Sequence, residues 1–292
     1  MMSLIDELTD LVRTAGEAAR PGVVTIGTRG RGTGFVVAPN RVLTNAHNLR
    51  DRTTQVRFSD GRTEQGSVVG ADVDGDLVVL DVDTADTAAL PWADEPPGVG
   101  DLVLAVTAGR HRPRVTWGQV TATEAGFTGP RGRPIRGAIE HAAPCAPGSS
   151  GAPVLDRAGR VVAINTHRLD YGFYLARTVD AALRQSVEAM AGGRTYEPAR
   201  LGVALAPTHV AARLRAAVGL SEQDGLLVRE VADGSPAARA SIKSGDLLVR
   251  AGDQALRLPE DLYGVLAGLG EGDQLVLAVV RGAEELTVTV TF

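Results

Sequence analysis

Between Val23 and Ala176 the chain is cut into short β-rich runs separated by Gly, Pro, Asn and Asp, and this rhythm constrains the fold more than any other feature. Val23-Val24-Thr25-Ile26, Val56-Arg57-Phe58, Leu102-Val103-Leu104-Ala105-Val106 and Val161-Val162-Ala163-Ile164 are such runs. Each is too short for a helix that buries a face, and each is bounded by turn residues, which is the pattern of antiparallel barrels or sandwiches. The 35 glycines and 15 prolines of the 292 residues supply the turns, and 44% hydrophobic content supplies a core. A single core stops growing near ~250–300 residues, so the length favours two domains.

Helical periodicity appears at two places around this β-rich stretch. Residues 3 to 19 repeat Leu4, Leu8, Leu11, Val12, Ala15 and Ala19 at helical spacing, with Ser3 placed to cap and Asp6 three residues on. Val179, Ala182, Leu183, Val187 and Met190 share one face of a helix expected from Thr178 to Met190, which Gly192-Gly193 would stop. A polar stretch, Arg194-Thr195-Tyr196-Glu197-Pro198, follows. The expected organisation is an amphipathic helix at 1–21, a β-rich domain at 22–192, a linker at 193–198 and a second domain at 199–292.

The chemistry centres on Pro147-Gly148-Ser149-Ser150-Gly151-Ala152-Pro153, a serine between glycines ahead of a strand-like Val154-Leu155. A serine hydroxyl is a weak nucleophile near neutral pH and needs a base, with something to orient that base. The apolar run Gly34–Ala38 turns at Pro39-Asn40 and returns as Arg41-Val42-Leu43, ending in Thr44-Asn45-Ala46-His47, so an imidazole stands at the end of a hairpin. Asp76 immediately precedes the strand Leu77-Val78-Val79-Leu80 and is the first candidate orienter, with Asp74 as the second. Either a lone Gly-x-Ser-x-Gly string or a lone histidine would mean little. The order His47, Asp76, Ser150 is that of chymotrypsin-type triads, and the joint occurrence gives it weight.

At these residues the chain resembles the HtrA (Deg) family of trypsin-like serine proteases. Thr44-Asn45-Ala46-His47 matches the family's TNAH block, Asp76-Leu77-Val78-Val79-Leu80 is similar to DLAVL, and Gly148-Ser149-Ser150-Gly151-Ala152-Pro153 is similar to GNSGGP. Ser149 replaces the family's Asn and Ala152 its second Gly; both are small, and neither is a triad position. The resemblance implies a mainly β protein: a chymotrypsin-like double six-stranded β-barrel, His47 and Asp76 from the first barrel and Ser150 from the second. The oxyanion hole would be the Gly148-Ser149-Ser150 loop, through the N–H groups of Gly148 and Ser150. Pro144 and Cys145 would form one wall of the pocket for the side chain preceding the cut bond. The stretch Asn165 to Leu169, with His167 and Leu169, would form the other. No Asp stands at the pocket base to attract Lys or Arg, so small or medium apolar side chains are the expectation.

Residues 199–292 resemble a small α+β PDZ domain through Leu201-Gly202-Val203, Gly225-Leu226-Leu227-Val228, Ser235-Pro236-Ala237-Ala238 and Gly245-Asp246-Leu247-Leu248. By that match the N–H groups of Leu201, Gly202 and Val203 face a peptide C-terminal carboxylate. A helix starting near Pro259 would wall the groove with Leu262, Val265 and Leu266, each of which could equally serve as core. Peptides would add as a strand.

The partners expected are therefore polypeptide substrates and peptide C-termini. The formal net charge of −5 gives no push toward nucleic acid, and the Arg110–Arg114 and Arg131–Arg136 stretches read as solvated loops. The five histidines share no ligand spacing with the one cysteine, so no metal and no cofactor are expected. Cys145 excludes an internal disulfide and reads as a small buried hydrophobe, not a redox switch. Asp6, Glu7 and Asp10 stand where a secretion signal needs a basic region, and no apolar run approaches the ~18 residues of a membrane span, so a cytoplasmic protein is expected. A homo-oligomer is allowed, although the trimer contacts implied by the resemblance use aromatic residues and none precedes Phe35. The other functional class open to this chain is a catalytically inactive protease-like scaffold, with a collapsed oxyanion loop and a PDZ domain that binds C-terminal peptides.

Overall fold

The computed structural model describes residues 3–108, 113–129, 134–169, 172–195, 199–206, 208–217, 219, 223–266, 269–270 and 272–292. Residues 110–112, 131–133 and 196–198, which carry most of the two arginine-rich stretches and part of the expected linker, lie outside the described residues. The chain divides into two compact units, Met1–Tyr196 and Glu197–Phe292.

The first unit opens with α1 (Leu4–Ala19), whose N-terminus is a capping box: Ser3 Oγ accepts from the Asp6 N–H while the Asp6 carboxylate accepts from the Ser3 N–H. Two closed barrels follow. The first is built from β1 (Val23–Ile26), β2 (Gly32–Ala38), β3 (Arg41–Thr44), β4 (Thr53–Arg57), β5 (Thr63–Asp72) and β6 (Leu77–Asp81), closing in the order β1-β2-β3-β6-β5-β4. The second uses β7 (Leu102–Thr107), β8 (Arg114–Thr128), β9 (Pro134–His141), β10 (Pro153–Leu155), β11 (Val161–Arg168) and β12 (Tyr174–Thr178), in the order β10-β11-β12-β9-β8-β7.

Unbroken apolar runs in these strands have a simple cause, because many strands are buried on both faces. In β6, Val78 and Leu80 point into the first barrel with Val24, Val36, Val42 and Val56. Leu77 and Val79 face a different cluster, shared with Phe35, Leu43, Leu104, Val106, Leu155 and Ile164, so one core spans both barrels. Ala15 and Ala19 of α1 join it, as do Leu183, Val187 and Met190 of α2 (Ala181–Ala191). Each large side chain fully buried there contributes about 1.5–3 kcal/mol as an upper estimate. That shared core holds the barrels together and so fixes the crevice between them.

The helix expected from Thr178 begins instead at Ala181. Thr178 belongs to β12, paired with Ala163, and Asp180 starts the helix by accepting the Leu183 N–H at 2.7 Å. Gly192 ends it, in keeping with the glycine stop read from the sequence.

The second unit is a sheet of β13 (Val203–Leu205), β14 (Leu226–Val231), β15 (Leu247–Ala251), β17 (Gln274–Arg281) and β18 (Glu284–Thr291), in that order, with β16 (Gln254–Ala255) paired to β15. Its helices are α3 (Thr208–Ala217), α4 (Pro236–Arg239, capped by Ser235) and α5 (Pro259–Leu266). Leu201, Leu226, Leu248, Leu262, Leu266 and Leu277 belong to its core. Asp246, almost fully buried, binds Arg281 through both carboxylate oxygens and accepts the Lys243 N–H. Burial pushes the Asp246 carboxyl up, but these hydrogen bonds outweigh it and hold it below the ordinary range.

Candidate active site

The hairpin of β2 and β3 turns at Asn40, which takes a positive φ of 57°, a conformation Asn tolerates. β3 then pairs with β6, Thr44 opposite Val78, so the residues that follow β3 lie beside those that precede β6. This register brings His47 to Asp76. His47 sits in a 3₁₀ turn, Ala46–Asn48, with its ring Nδ1 2.7 Å from Asp76 Oδ2 and its backbone N–H 3.0 Å from Asp76 Oδ1. A carboxylate only accepts, so Nδ1 carries the proton and Nε2 keeps a lone pair. The Asp76 side chain is 1% exposed and that of His47 34%: the carboxylate is sealed and the imidazole reaches the cleft.

The Asp76 turn is over-determined. Asp76 itself has φ 59°, a left-handed conformation that stores strain, and its carbonyl accepts from Ala46 N–H at 3.1 Å and Asn45 Nδ2 at 2.9 Å. Asp72 Oδ1 accepts the Gly75 N–H at 2.8 Å, and Arg177, from the second barrel, donates to Gly75 O at 2.6 Å. Asp76, not Asp74, is the residue that receives the imidazole.

Ser150 comes from the second barrel but is gripped by the first. Its carbonyl accepts from Thr33 N–H and from Asn48 Nδ2, both at 2.9 Å, and Asn48 is the neighbour of His47. Thr33 Oγ1 also donates to Gly148 O at 2.8 Å. Gly151 has φ +83°, and a Cβ there would collide with Thr33 O and Thr44 Oγ1, so only glycine lets the two barrels meet behind the serine. Ser150 Oγ donates to Thr166 O at 3.0 Å, and Thr166 Oγ1 lies 3.3 Å from Asp76 Oδ2. Thr166 thus touches Ser150 through its carbonyl and Asp76 through its hydroxyl, which links Ser150 to the His47–Asp76 pair. Among the described residues neither the Gly148 N–H nor the Ser150 N–H has an acceptor in the chain.

Beside Ser150 lies a cavity of about 250 Å³. Of the four residues named from the sequence as pocket walls, Cys145 and His167 line it; Pro144 and Leu169 do not, the Pro144 carbonyl accepting from Thr116 Oγ1 and Leu169 closing a turn onto Phe173. Asn165, Arg168 and Tyr174 line it as well. Sequence reading gave Tyr174 and the Thr166 hydroxyl no role, because their partners, Cys145 O and Asp76, are distant in sequence. Desolvation pushes the Cys145 thiol up to about 11, against the hydrogen bonds from Ser149 and Asn165, so it stays a neutral thiol. His167 packs its ring against His47 and Phe127, at centroid distances of 5.9 and 5.1 Å. Burial lowers its pKa, Asp76 opposes this and His47 adds to it.

In the second unit Leu201 is buried, and its carbonyl accepts the Ala237 N–H at 2.9 Å. Gly202 has φ +80°, where a Cβ would meet the Ser235 side chain. β13 lies at one end of the sheet order, paired to β14 alone. Leu262 and Leu266 are buried in the core, and Val265 is half-buried against it. Among the described residues the Leu201 and Gly202 N–H groups have no acceptor in the chain.

Comparison with known proteins agrees with this architecture. Residues 32–164 match the trypsin-like peptidase domain family and residues 199–292 the PDZ domain family. The chain is 31% identical over 277 residues to a protein of Brucella suis biovar 1 (strain 1330) named "Probable periplasmic serine endoprotease DegP-like", covering 89% of this chain and 52% of that one. A protein of the same name from Pseudomonas savastanoi pv. phaseolicola is 28% identical, covering 90% and 56%. The chain therefore spans about half the length of these relatives. The solved structure titled "HtrA-type protease AlgW with decapeptide" superposes with a TM-score of 0.76 at 22% identity, over 96% of this chain and 97% of that one.

One expectation is corrected by these relatives. The cytoplasmic assignment is overturned, because the relatives are named periplasmic. It rested on acidic first residues and the lack of a membrane-length apolar run, yet the acidic residues belong to α1, which packs on the peptidase unit, and neither feature assigns a compartment. Among the described residues no helix is long and apolar enough to cross a membrane. With both domains matched in order and the barrels and sheet in place, the chain belongs to the HtrA family, a trypsin-like serine protease domain followed by a PDZ domain.

Proposed function

We propose that the chain is a serine endopeptidase acting on unfolded or tagged polypeptides, with His47, Asp76 and Ser150 as its triad. The carrying observation is the convergence of Ser150 and Asp76 on Thr166, with His47 held on Asp76 by two hydrogen bonds. In the resting arrangement the Ser150 hydroxyl rests on Thr166 O. For reaction it swings to His47 Nε2, which takes the proton as Ser150 Oγ attacks the carbonyl carbon, and returns it to the leaving amine. Asp76 keeps the proton on Nδ1 and stabilises the imidazolium formed when Nε2 takes the second. The N–H groups of Gly148 and Ser150, free of chain acceptors, receive the oxyanion, a single such donor being worth roughly 2.7–4 kcal/mol elsewhere. Those free donors also argue against the inactive-scaffold reading, in which a collapsed loop would spend them.

The PDZ unit would bind a peptide C-terminus as a strand on the open edge of β13, its carboxylate on the Leu201 and Gly202 N–H groups. Val203 continues the edge, and half-buried Val265 would present the apolar wall from α5, with Leu262 and Leu266 in the core behind it. Digestion of a denatured protein by the wild type, lost in Ser150→Ala, is the expected result. Equal digestion by both would refute the assignment of Ser150.

A further inference from the structure

A buried chain of hydrogen bonds runs from a backbone amide to the wall of the cavity beside Ser150, and its direction cannot be reversed. It starts at Ala143, whose N–H lies 3.2 Å from His141 Nδ1. A backbone N–H only donates, so Nδ1 must be the accepting nitrogen, and the neutral ring carries its proton on Nε2. His141 is fully buried, and desolvation lowers its pKa against the opposing effects of Asn165 and Glu140, which agrees with a neutral ring. Nε2–H then donates to Asn165 Oδ1 at 2.7 Å. With its oxygen fixed toward His141, the Asn165 carboxamide must turn its NH₂ the other way, and Nδ2 lies 3.5 Å from Cys145 Sγ.

This matters because Asn165 and Cys145 line the cavity. Three polar groups beside it are already engaged: Tyr174 donates its hydroxyl to Cys145 O at 2.9 Å, Cys145 Sγ–H donates to Ala143 O at 3.4 Å, and the Thr166 hydroxyl is held between Asp76 and His167. The NH₂ of Asn165 has two hydrogens and, among the described residues, one weak sulfur acceptor. At this wall Asn165 therefore offers a directional donor.

We propose that His141 is a positioning residue that locks Asn165 with its NH₂ toward the pocket, so that the enzyme prefers, before the cut bond, a small or medium side chain bearing an acceptor oxygen, such as Thr or Ser, over an aliphatic one of the same shape. This rests on the endopeptidase reading above and sharpens the apolar preference expected from the sequence. Lysine and arginine, which bring only donors, gain nothing from this amide.

The test is hydrolysis by the full chain of two peptides that differ only by Thr or Val before the cut bond, so that size, docking and chemistry are shared. The expected Thr:Val ratio of kcat/KM is about fivefold, the discrimination given by one neutral hydrogen bond. Asn165→Asp keeps an oxygen for His141 Nε2–H and removes the NH₂, and should bring the ratio to one or below. His141→Phe should do the same by freeing the amide to turn, whereas His141→Gln, which can still donate to Asn165 Oδ1, should keep the preference. A merely structural role for His141 would lower both rates and leave the ratio unchanged in both His141 variants. A wild-type ratio of one, or a ratio unmoved by Asn165→Asp, overturns the proposal while the endopeptidase reading stands. Failure of the wild type to cut either peptide or a denatured protein overturns the endopeptidase reading, and this proposal with it.

Discussion

The Thr166 hydroxyl lies 3.3 Å from Asp76 Oδ2 and 2.9 Å from His167 Nδ1, so one proton stands between a carboxylate and a second imidazole. The carboxylate already accepts the ring and backbone N–H groups of His47, and Thr166 adds a third, longer contact on the same oxygen that holds the ring. Thr166 is accordingly part of what orients Asp76, although its own carbonyl does the more obvious work of holding Ser150.

Thr166→Val keeps the shape and the carbonyl and removes this hydroxyl. A fall in kcat/KM of about threefold to tenfold is expected, the scale of one modest hydrogen bond. Steady-state kinetics beside a melting curve checks it; an unchanged rate would mean that Asp76 is positioned without Thr166.

Gly151→Ala tests the meeting of the barrels behind the serine. The left-handed φ of +83° alone costs a non-glycine residue about 1–3 kcal/mol. The new Cβ also runs into Thr33 O, a backbone atom of the first barrel that cannot step aside cheaply. A lower melting temperature together with loss of hydrolysis is expected, and full activity in the variant would show that the Ser150 loop is not held in this conformation.

His141 ties stability to pH. Its folded-state pKa is depressed by burial, so as pH falls below the ordinary histidine value of about 6.5 the unfolded chain takes up a proton that the folded chain refuses. Stability is full above that value and declines as pH drops through it toward the depressed folded value. Denaturation midpoints measured between pH 7.5 and pH 5 should fall less steeply in His141→Gln than in the wild type. Parallel slopes would contradict a neutral, buried His141.

Much of this was legible in the residues themselves, for physical reasons that differ from place to place. The hairpin through Asn40 and the strand after Asp76 announced themselves by turn chemistry and apolar runs, and their pairing is what brings His47 to Asp76. Ser3 with Asp6 marked a helix start because capping is local chemistry. The Asp180 cap was missed because Val179 fits a helical stripe as readily as a core position beside a strand. α3 was missed because its alanines and arginines give little contrast between faces. The roles of Thr166, Tyr174 and His141 could not be read at all: each depends on a partner at least 24 residues away in sequence, reached only once the barrels have folded. The compartment, finally, is not written in the domain's physical chemistry.

The most direct test of the account is reaction of the folded chain with an organophosphate serine probe, followed by mass mapping of the adduct. Labelling at Ser150 in the wild type, abolished in Ser150→Ala and strongly slowed in His47→Ala, is the predicted result. Absence of labelling in the wild type, with or without a peptide bound at the PDZ unit, or an adduct on any serine other than Ser150, would contradict it.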